Sequence, residues 1–424
     1  MLAKLRSFLR KRATGNGCEV VLPWFPEANP DSDAMRLVRE TRIEPEGSNW
    51  INYPVGFILW LFLSTYWSFK TCLGVGSELK GEIESCRIRH LVQMLYLAWF
   101  KNLSPIEYYE NRFFLKERRS HAEYFLPSPR QGIITRKLHE WRNTDELDHK
   151  LQAYKNLKKA GVPTAEVLEV FYKDSKREFT DDVSELEEHI GKDFFVKPLN
   201  GYGAFGVAKW TFNKDNTYTD GSRSVSPDQL WQILADEADE RMSDDSDMEA
   251  RMLQQLVVNH PDLKVLSRRS LNTLRVVSFY WPSGRHEILY AAAKMGMDDE
   301  IQDTINTTVS RVDLDTGRMN ASTAGPGKKG NTHHPTTGHP IEGTVIPYWQ
   351  QVMELVKKAH AVYPHLPIVG WDVAVSPDGP LIIEGNCNPR LMLIQLHDNL
   401  PVTKTSLTDL FFAWQEHRAN QSHK

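Results

Sequence analysis

Two acidic side chains near the end of the chain, Asp372 and Glu384, have the types and spacing to do chemistry together. They flank the segment Ser376-Pro377-Asp378-Gly379-Pro380, whose residue types make a turn centred on Asp378. Asp372 stands six residues before that centre and Glu384 six after it. A hairpin folded there sets the two carboxylates opposite one another, with Cβ atoms about 5 Å apart. Alternation assigns Trp371, Val373, Val375, Leu381 and Ile383 to one apolar face. Asp372, Glu384 and Asn386 share the other, beside Ala374 and Ile382. Facing carboxylates repel unless a proton or a cation intervenes. Two carboxylates and an amide offer only oxygen ligands. Such a set suits Mg²⁺, which completes its octahedron with waters and substrate phosphates. The alternative is a solvent-facing acidic pair on an edge hairpin.

A second stretch with chemical potential is Phe194-Phe195-Val196-Lys197-Pro198-Leu199-Asn200-Gly201-Tyr202-Gly203-Ala204-Phe205-Gly206, followed by Val207-Ala208-Lys209-Trp210. Gly201, Gly203 and Gly206 allow the backbone to approach an anion and turn its N–H groups inward, and Lys197 adds a point charge. A Walker loop needs Gly-Lys-Ser/Thr opening a helix, and a dinucleotide fingerprint also needs a helix. Here the residues after the glycines read as a returning strand. The loop is therefore the tip of a β-hairpin, either lying over a ligand or an ordinary glycine-bearing turn.

The elements that must position these groups are set out along a chain of 424 residues, long enough for two or three domains. Its 51 basic and 55 acidic side chains nearly cancel to a net charge of -4, which argues against a protein-wide nucleic-acid footprint. Cys18, Cys72, Cys86 and Cys387 form no Cys-x-x-Cys pair, so a disulfide framework or zinc ribbon is not expected and a reducing cytosol fits. No secretory signal pattern opens the chain. Residues 1–48 read as a partly flexible lead-in, with a short basic amphipathic helix over 1–12. Residues 49–145 read as an α-helical N-terminal domain. Within it, 47–69 hold no charged residue and are rich in Trp and Tyr, but the strongly apolar part is too short to span a bilayer. A buried or membrane-lying helix is expected there. Ser104-Pro105-Ile106-Glu107 reads as a helix start, and the polar stretch 127–143 as the exit from the domain.

From 146 to 424 the pattern is mixed α and β. Asp148-His149-Lys150 opens a helix carrying Leu151, Tyr154 and Leu157 that stops at Gly161. Strands are expected over 167–171, 252–258, 273–280 and 287–294, helices over 227–239, 348–361 and 407–418, and the final hairpin over 369–386. Residues 320–345, rich in Gly, Pro, Thr and His, read as an active-site or surface loop.

The order of these motifs resembles the ATP-grasp superfamily, and more narrowly the sugar-transfer associated ATP-grasp proteins, from about 105 to 402. The resemblance implies an ATP-grasp fold, in which two α+β subdomains clasp ATP, here preceded by helices in place of the usual α/β pre-domain. It implies that Lys150 and Lys197 hold phosphates, that Gly201, Gly203 and Gly206 form a phosphate-covering lid, and that the backbone of Gln254, Gln255, Leu256 and Val257 reads adenine. Arg275 matches the arginine strand of glutamate-adding ligases, Lys294 falls where a second basic residue is expected, and Asn306 resembles an asparagine before the catalytic loop. Asp372, Glu384 and Asn386, within Glu-Gly-Asn-Cys-Asn-Pro, match the metal-binding set. The chain departs from the pattern at Gln254, where many relatives carry an acid, at Thr307-Thr308, where two glycines are common, and at Arg390, where a glycine is frequent. Those departures bear on substrate identity more than on ATP.

The implied activity is an ATP- and Mg²⁺-dependent carboxylate–amine ligation through an acyl phosphate, on a small-molecule, peptide or sugar substrate, in cell-surface polysaccharide or peptide modification. The same site could serve a kinase of a small hydroxyl substrate. A non-catalytic ATP-binding subunit of a polysaccharide assembly is a third reading, which the aromatic 47–69 stretch favours and the complete Asp372/Glu384/Asn386 set disfavours. Zinc on His333, His334 and His339 is disfavoured because they lack helical spacing. No nucleic-acid partner is expected. The expected location is cytoplasmic, with 47–69 suited to peripheral contact with a membrane.

Overall fold

The alternating apolar residues of the C-terminal two thirds are consumed by two antiparallel sheets. The computed structural model describes residues 32–41, 52–79, 86–101, 103–140, 144–172, 176–179, 190–199, 207–241, 250–267, 269–297, 307–324, 328–398 and 400–422. Gly201, Gly203, Gly206, Asn306 and the 1–12 helix expected above lie outside them. The strands are β1 (Val167–Tyr172), β2 (Lys176–Phe179), β3 (Phe194–Pro198), β4 (Ala208–Phe212), β5 (Tyr218–Thr219), β6 (Ser224–Val225), β7 (Ala250–Gln255), β8 (Thr273–Tyr280), β9 (His286–Gly296), β10 (Thr307–Val312), β11 (Met319–Ser322), β12 (Ile368–Ser376) and β13 (Gly379–Asn386). The helices needed below are α1 (Asp33–Glu40), α2 (Asn52–Leu73), α3 (Arg87–Lys101), α4 (Pro105–Glu110), α5 (Ser128–His139), α6 (Lys150–Lys159), α7 (Pro227–Arg241), α8 (Trp349–His360) and α9 (Leu407–Ser422).

Contacts divide the chain into two compact units. One comprises Met1–Leu138, Thr323–Gly330 and Arg390–Lys424, the other His139–Ser322 and Asn331–Pro389. The second unit holds both sheets, in the orders β2-β1-β7-β3-β4-β5-β6 and β11-β10-β9-β8-β12-β13. The first sheet packs Phe171, Phe194, Trp210 and Leu253 against Leu230 and Trp231 of α7. The second packs Val276, Trp371 and Val373 against Val352, Val356 and Ala359 of α8.

Helix α6 joins the two sheets because its apolar residues occupy two faces. Leu151 and Tyr154 pack with Val167, Val170 and Met252 of the first sheet. Ala153 and Leu157 belong to the core of the second. The helix starts where His149 Nδ1 accepts the Gln152 N–H at 3.2 Å and ends before Gly161, whose φ of +64° favours glycine. Lys150 thus sits at the first turn of the element that links both sheets.

The β12–β13 register sets Asp372 opposite Glu384, as expected, although the turn is centred between Pro377 and Asp378 rather than on Asp378. It differs from a simple hairpin in one respect. A bulge at Ile383 shifts the pairing between Asp372 and Val373, so that Val373 faces Ile382. Ile382 is therefore a core residue rather than a neighbour of the carboxylates, which corrects the alternation above.

The first unit is helical, with Cys72, Met94, Leu97, Tyr108 and Tyr109 at its centre. Ser104 N–H donates to the Glu107 carboxylate at 2.7 Å and opens α4 where the sequence predicts a start. The 127–143 stretch, expected as a polar exit segment, instead contains α5. Its inward face sets Ile134 and Leu138 among buried polar side chains: Arg130 donates to Thr41 Oγ1 at 3.0 Å and to the Val38 carbonyl at 2.6 Å, and Gln131 Nε2 donates to the Leu126 carbonyl at 2.6 Å. Apolar periodicity could not reveal such a helix. Among the described residues no helix is long and apolar enough to cross a membrane.

Candidate active site

Three neighbouring strands place Arg275 (β8), Asp372 (β12) and Glu384 (β13) in one row across the second sheet. Arg275 forks onto the aspartate, donating from Nε to Oδ1 at 2.7 Å and from Nη2 to Oδ2 at 3.0 Å. Lys294, on β9, donates to the same Oδ2 at 3.5 Å. The Asp372 side chain is 7% exposed. Burial alone would raise its pKa, but the Arg275 guanidinium and the Lys294 ammonium outweigh burial and hold it below the usual carboxylate range. Glu384 accepts from Asn386 Nδ2 at 3.3 Å.

The first sheet contributes cations to the same carboxylates. Lys197 lies on β3, and burial pulls its ammonium down to about 8. The Glu384 and Asp372 carboxylates oppose that fall, while Lys150 adds to it. Burial also lowers Lys150, against the pull of Glu384 and Asp148. Its Nζ donates to the Leu199 carbonyl at 3.5 Å, next to the end of β3. Lys150, Lys197, Asp372 and Glu384 thus share one electrostatic neighbourhood between two sheets of one unit.

The hinge residues divide by role. Gln254 is buried, and its Nε2 donates to the Ala165 carbonyl at 2.9 Å, so its side chain braces the strand start instead of facing a ligand. Gln255 N–H donates to the Glu166 carbonyl at 2.9 Å and Leu256 N–H to the Asp193 carbonyl at 3.4 Å. Those two donors are already bonded, and Val257 follows directly on the partly exposed side of the hinge.

The histidine loop does not converge. His334 is buried and its Nδ1 accepts the Thr336 and Thr337 N–H groups at 3.3 and 3.2 Å, whereas His333 and His339 are exposed. Among the described residues no group of three His, Cys, Asp or Glu side chains could hold a metal ion.

A family model described as sugar-transfer associated ATP-grasp matches residues 131–408, well over half of the sequence. The chain belongs to this family. Its fold is ATP-grasp, preceded by a helical N-terminal region. Partial likenesses among solved structures include the L-amino acid ligase from Bacillus licheniformis, with 11% identity and a TM-score of 0.35, covering 69% of this chain and 52% of that one. The D-alanine-D-alanine ligase from Coxiella burnetii matches with 12% identity and a TM-score of 0.36, covering 66% and 61%. The chain spans about half to three fifths of the length of these two ligases. No curated protein matches.

ATP-grasp chemistry implies Mg²⁺, and the residues present fit it. Asp372 and Glu384 sit directly opposite, and Asn386 lies two residues beyond Glu384 with its amide on that carboxylate. All offer hard oxygen donors. The cations on Asp372 leave its remaining oxygen lone pairs for a metal.

Two glycines beside these carboxylates escaped sequence reasoning. A Cβ on Gly370 would lie 2.6 Å from Pro389 Cβ and 3.3 Å from Arg275 Cδ, so the glycine makes room for the arginine. A Cβ on Gly385 would lie 2.6 Å from Leu147. Glycine inside a strand, flanking each carboxylate, was the available signal.

Proposed function

We propose that the protein is an ATP- and Mg²⁺-dependent carboxylate–amine ligase working through an acyl phosphate. The observation that carries this reading is the row Arg275–Asp372–Glu384 facing Lys150 and Lys197 of the opposite side. Asp372, Glu384 and Asn386 would hold Mg²⁺, which when bound offsets charge on the nucleotide phosphates. Lys150 and Lys197 bind phosphate oxygens. The Gln254–Val257 backbone reads adenine, with the Val257 N–H as the donor that the hinge bonds leave over. The role expected of Gly201, Gly203 and Gly206 is to cover the phosphates and exclude water, which would hydrolyse an acyl phosphate.

A carboxylate oxygen of the substrate takes the γ-phosphoryl group and ADP leaves. An amine nitrogen then attacks the carbonyl carbon, inorganic phosphate departs, and the nitrogen loses a proton. Arg275 and Lys294 stabilise the oxyanion that develops when the amine attacks the carbonyl carbon, with Asn306 expected beside them. The substrate pair is a small-molecule, peptide or sugar carboxylate and an amine, of the kind used in cell-surface polysaccharide or peptide modification.

A screen for ADP and phosphate release, with mass spectrometry of the product, tests the reading. Release of both should require carboxylate and amine together. ADP release without free phosphate, accompanied by a phosphorylated hydroxyl product, would overturn ligation in favour of a kinase.

A further inference from the structure

The first unit inverts ordinary helix patterning. Along α2 the buried positions among those described are Trp60, Ser64, Ser68, Thr71 and Cys72, most of them small or polar. Its outward stripe is Ile58, Phe62, Tyr66, Phe69 and Leu73, exposed by 55%, 73%, 59%, 49% and 66%. Helix α3 buries His90, Met94, Leu97 and Ala98 but carries a matching outward stripe: Ile88, Val92, Tyr96 and Phe100 are exposed by 71%, 58%, 49% and 54%. Single exposed apolar residues are ordinary, but nine at three- and four-residue steps on two packed helices are not.

The two helices run antiparallel. Trp60 Nε1 donates to the Ala98 carbonyl at 2.9 Å, Trp99 Nε1 to Ser64 Oγ at 3.1 Å, and Cys72 Sγ to the Arg87 carbonyl at 3.5 Å. The last contact brings the end of α2 to the start of α3, and with it the exposed cations Lys70, Arg87 and Arg89. Neither helix contains Asp or Glu. Among the described residues, Glu78 pairs with Lys328 at 3.2 Å, and Glu123 with Lys101.

We propose that α2 and α3 form a docking surface that lies in the headgroup–acyl boundary of an anionic lipid bilayer. The small and polar inner face of α2, with large apolar side chains outside on both helices, is the packing used in lipid, where water does not drive burial. Tyr and Trp beside the stripe suit the headgroup level, and Lys70 lies 4.5 Å over the Trp67 ring. The cations at one end match anionic headgroups. A second copy would bring the same cations with no acid on either helix to meet them. Neither helix is long and apolar enough to span.

Flotation of the purified full chain with vesicles tests this, using phosphatidylcholine alone and phosphatidylcholine with about a third phosphatidylglycerol. The protein should float with the anionic vesicles. Phe62→Ser with Val92→Ser should cut the bound fraction on the order of tenfold, with an unchanged circular-dichroism melt. Lys70→Glu with Arg89→Glu should lose the preference for anionic lipid. Wild-type protein that stays at the bottom with both vesicle types overturns the proposal. So does light scattering that finds a dimer which the Phe62/Val92 variant dissociates, without flotation.

Discussion

Arg275 and Asp372 stand 97 residues apart in sequence and close a two-point ion pair in the fold. With Asp372 so committed, Glu384 is the half-exposed carboxylate nearest the two lysines, and it should be the more sensitive test of function without loss of fold. Glu384→Gln keeps the size and the hydrogen bond to Asn386 but removes the charge. Substrate-dependent ADP release should fall at least about a hundredfold with an unchanged melt. Full turnover by that variant would remove the residue from the site. Lys197 provides a pH test. Burial lowers its pKa from 10.5 to about 8. Below pH 8 both folded and unfolded chains hold the proton, and the cost of burying the charge is felt in full. Between 8 and 10.5 the folded chain has released the proton and the unfolded chain has not, so this group makes stability rise with pH across that window. Nucleotide affinity should move the other way, because a neutral lysine no longer attracts phosphate. Calorimetric titration with ADP at pH 7 and pH 9 should give up to about tenfold weaker binding at the higher pH. Lys197→Arg should flatten the profile, since arginine stays charged. The apposition of Asp372 and Glu384 was legible to within one residue, because the turn brings the two strand ends together and the bulge at Ile383 supplies the last step of register. The Arg275 fork was not, because it depends on which strand lies beside β12.

At the scale of elements, the strands and the helices with clear apolar spacing were legible, and the failures have physical causes. Helix α5 was missed because Arg130, Gln131, Thr135 and His139 are buried beside Ile134 and Leu138, so polar residues break the apolar stripe on its inward face. The bulge at Ile383 was missed because a two-residue alternation cannot report an inserted residue. That bulge lets the hairpin return Asp372 and Glu384 to direct opposition while Ile382 fills the core beneath. Gly370 makes the same point by its lack of a side chain. A methyl there would meet Pro389 Cβ at 2.6 Å and Pro389 Cα at 3.1 Å, backbone that cannot swing aside. Gly370→Ala should therefore cost about 1–3 kcal/mol in urea unfolding. It should also lower ADP release per folded molecule, because the new methyl crowds Arg275 Cδ. Lost stability with full specific activity would separate Gly370 from the positioning of that arginine.

At the scale of the whole chain, sequence order groups residues 390–424 with the domain they follow, whereas contacts place them in the unit of the N-terminal helices. Helix α9 packs on α1, where the Arg36 guanidinium lies 4.4 Å over the Phe412 ring. The return is fixed by a buried amide: Leu126 N–H donates to Gln395 Oε1 at 3.0 Å, and Gln395 Nε2 donates to the Leu126 carbonyl at 3.0 Å. Gln395 Oε1 also accepts the Val402 N–H at 3.3 Å. One side chain, 1% exposed, thus satisfies backbone groups at Val402, close by in sequence, and at Leu126, 269 residues away. No local pattern marks a glutamine for that role. Gln395→Leu keeps nearly the same volume but leaves the Leu126 and Val402 N–H groups buried without that acceptor, at about 1–3 kcal/mol for each donor that finds no substitute. Because the chain has two units, melting need not be two-state, and the loss should appear in the transition of the helical unit. Limited proteolysis should cut the N-terminal helices of the variant faster than those of the wild type. ADP release should stay near wild type, since Gln395 belongs to the unit that holds neither sheet. Equal proteolysis rates in the two proteins would show that the amide is dispensable and that α9 alone holds the C-terminal segment in place.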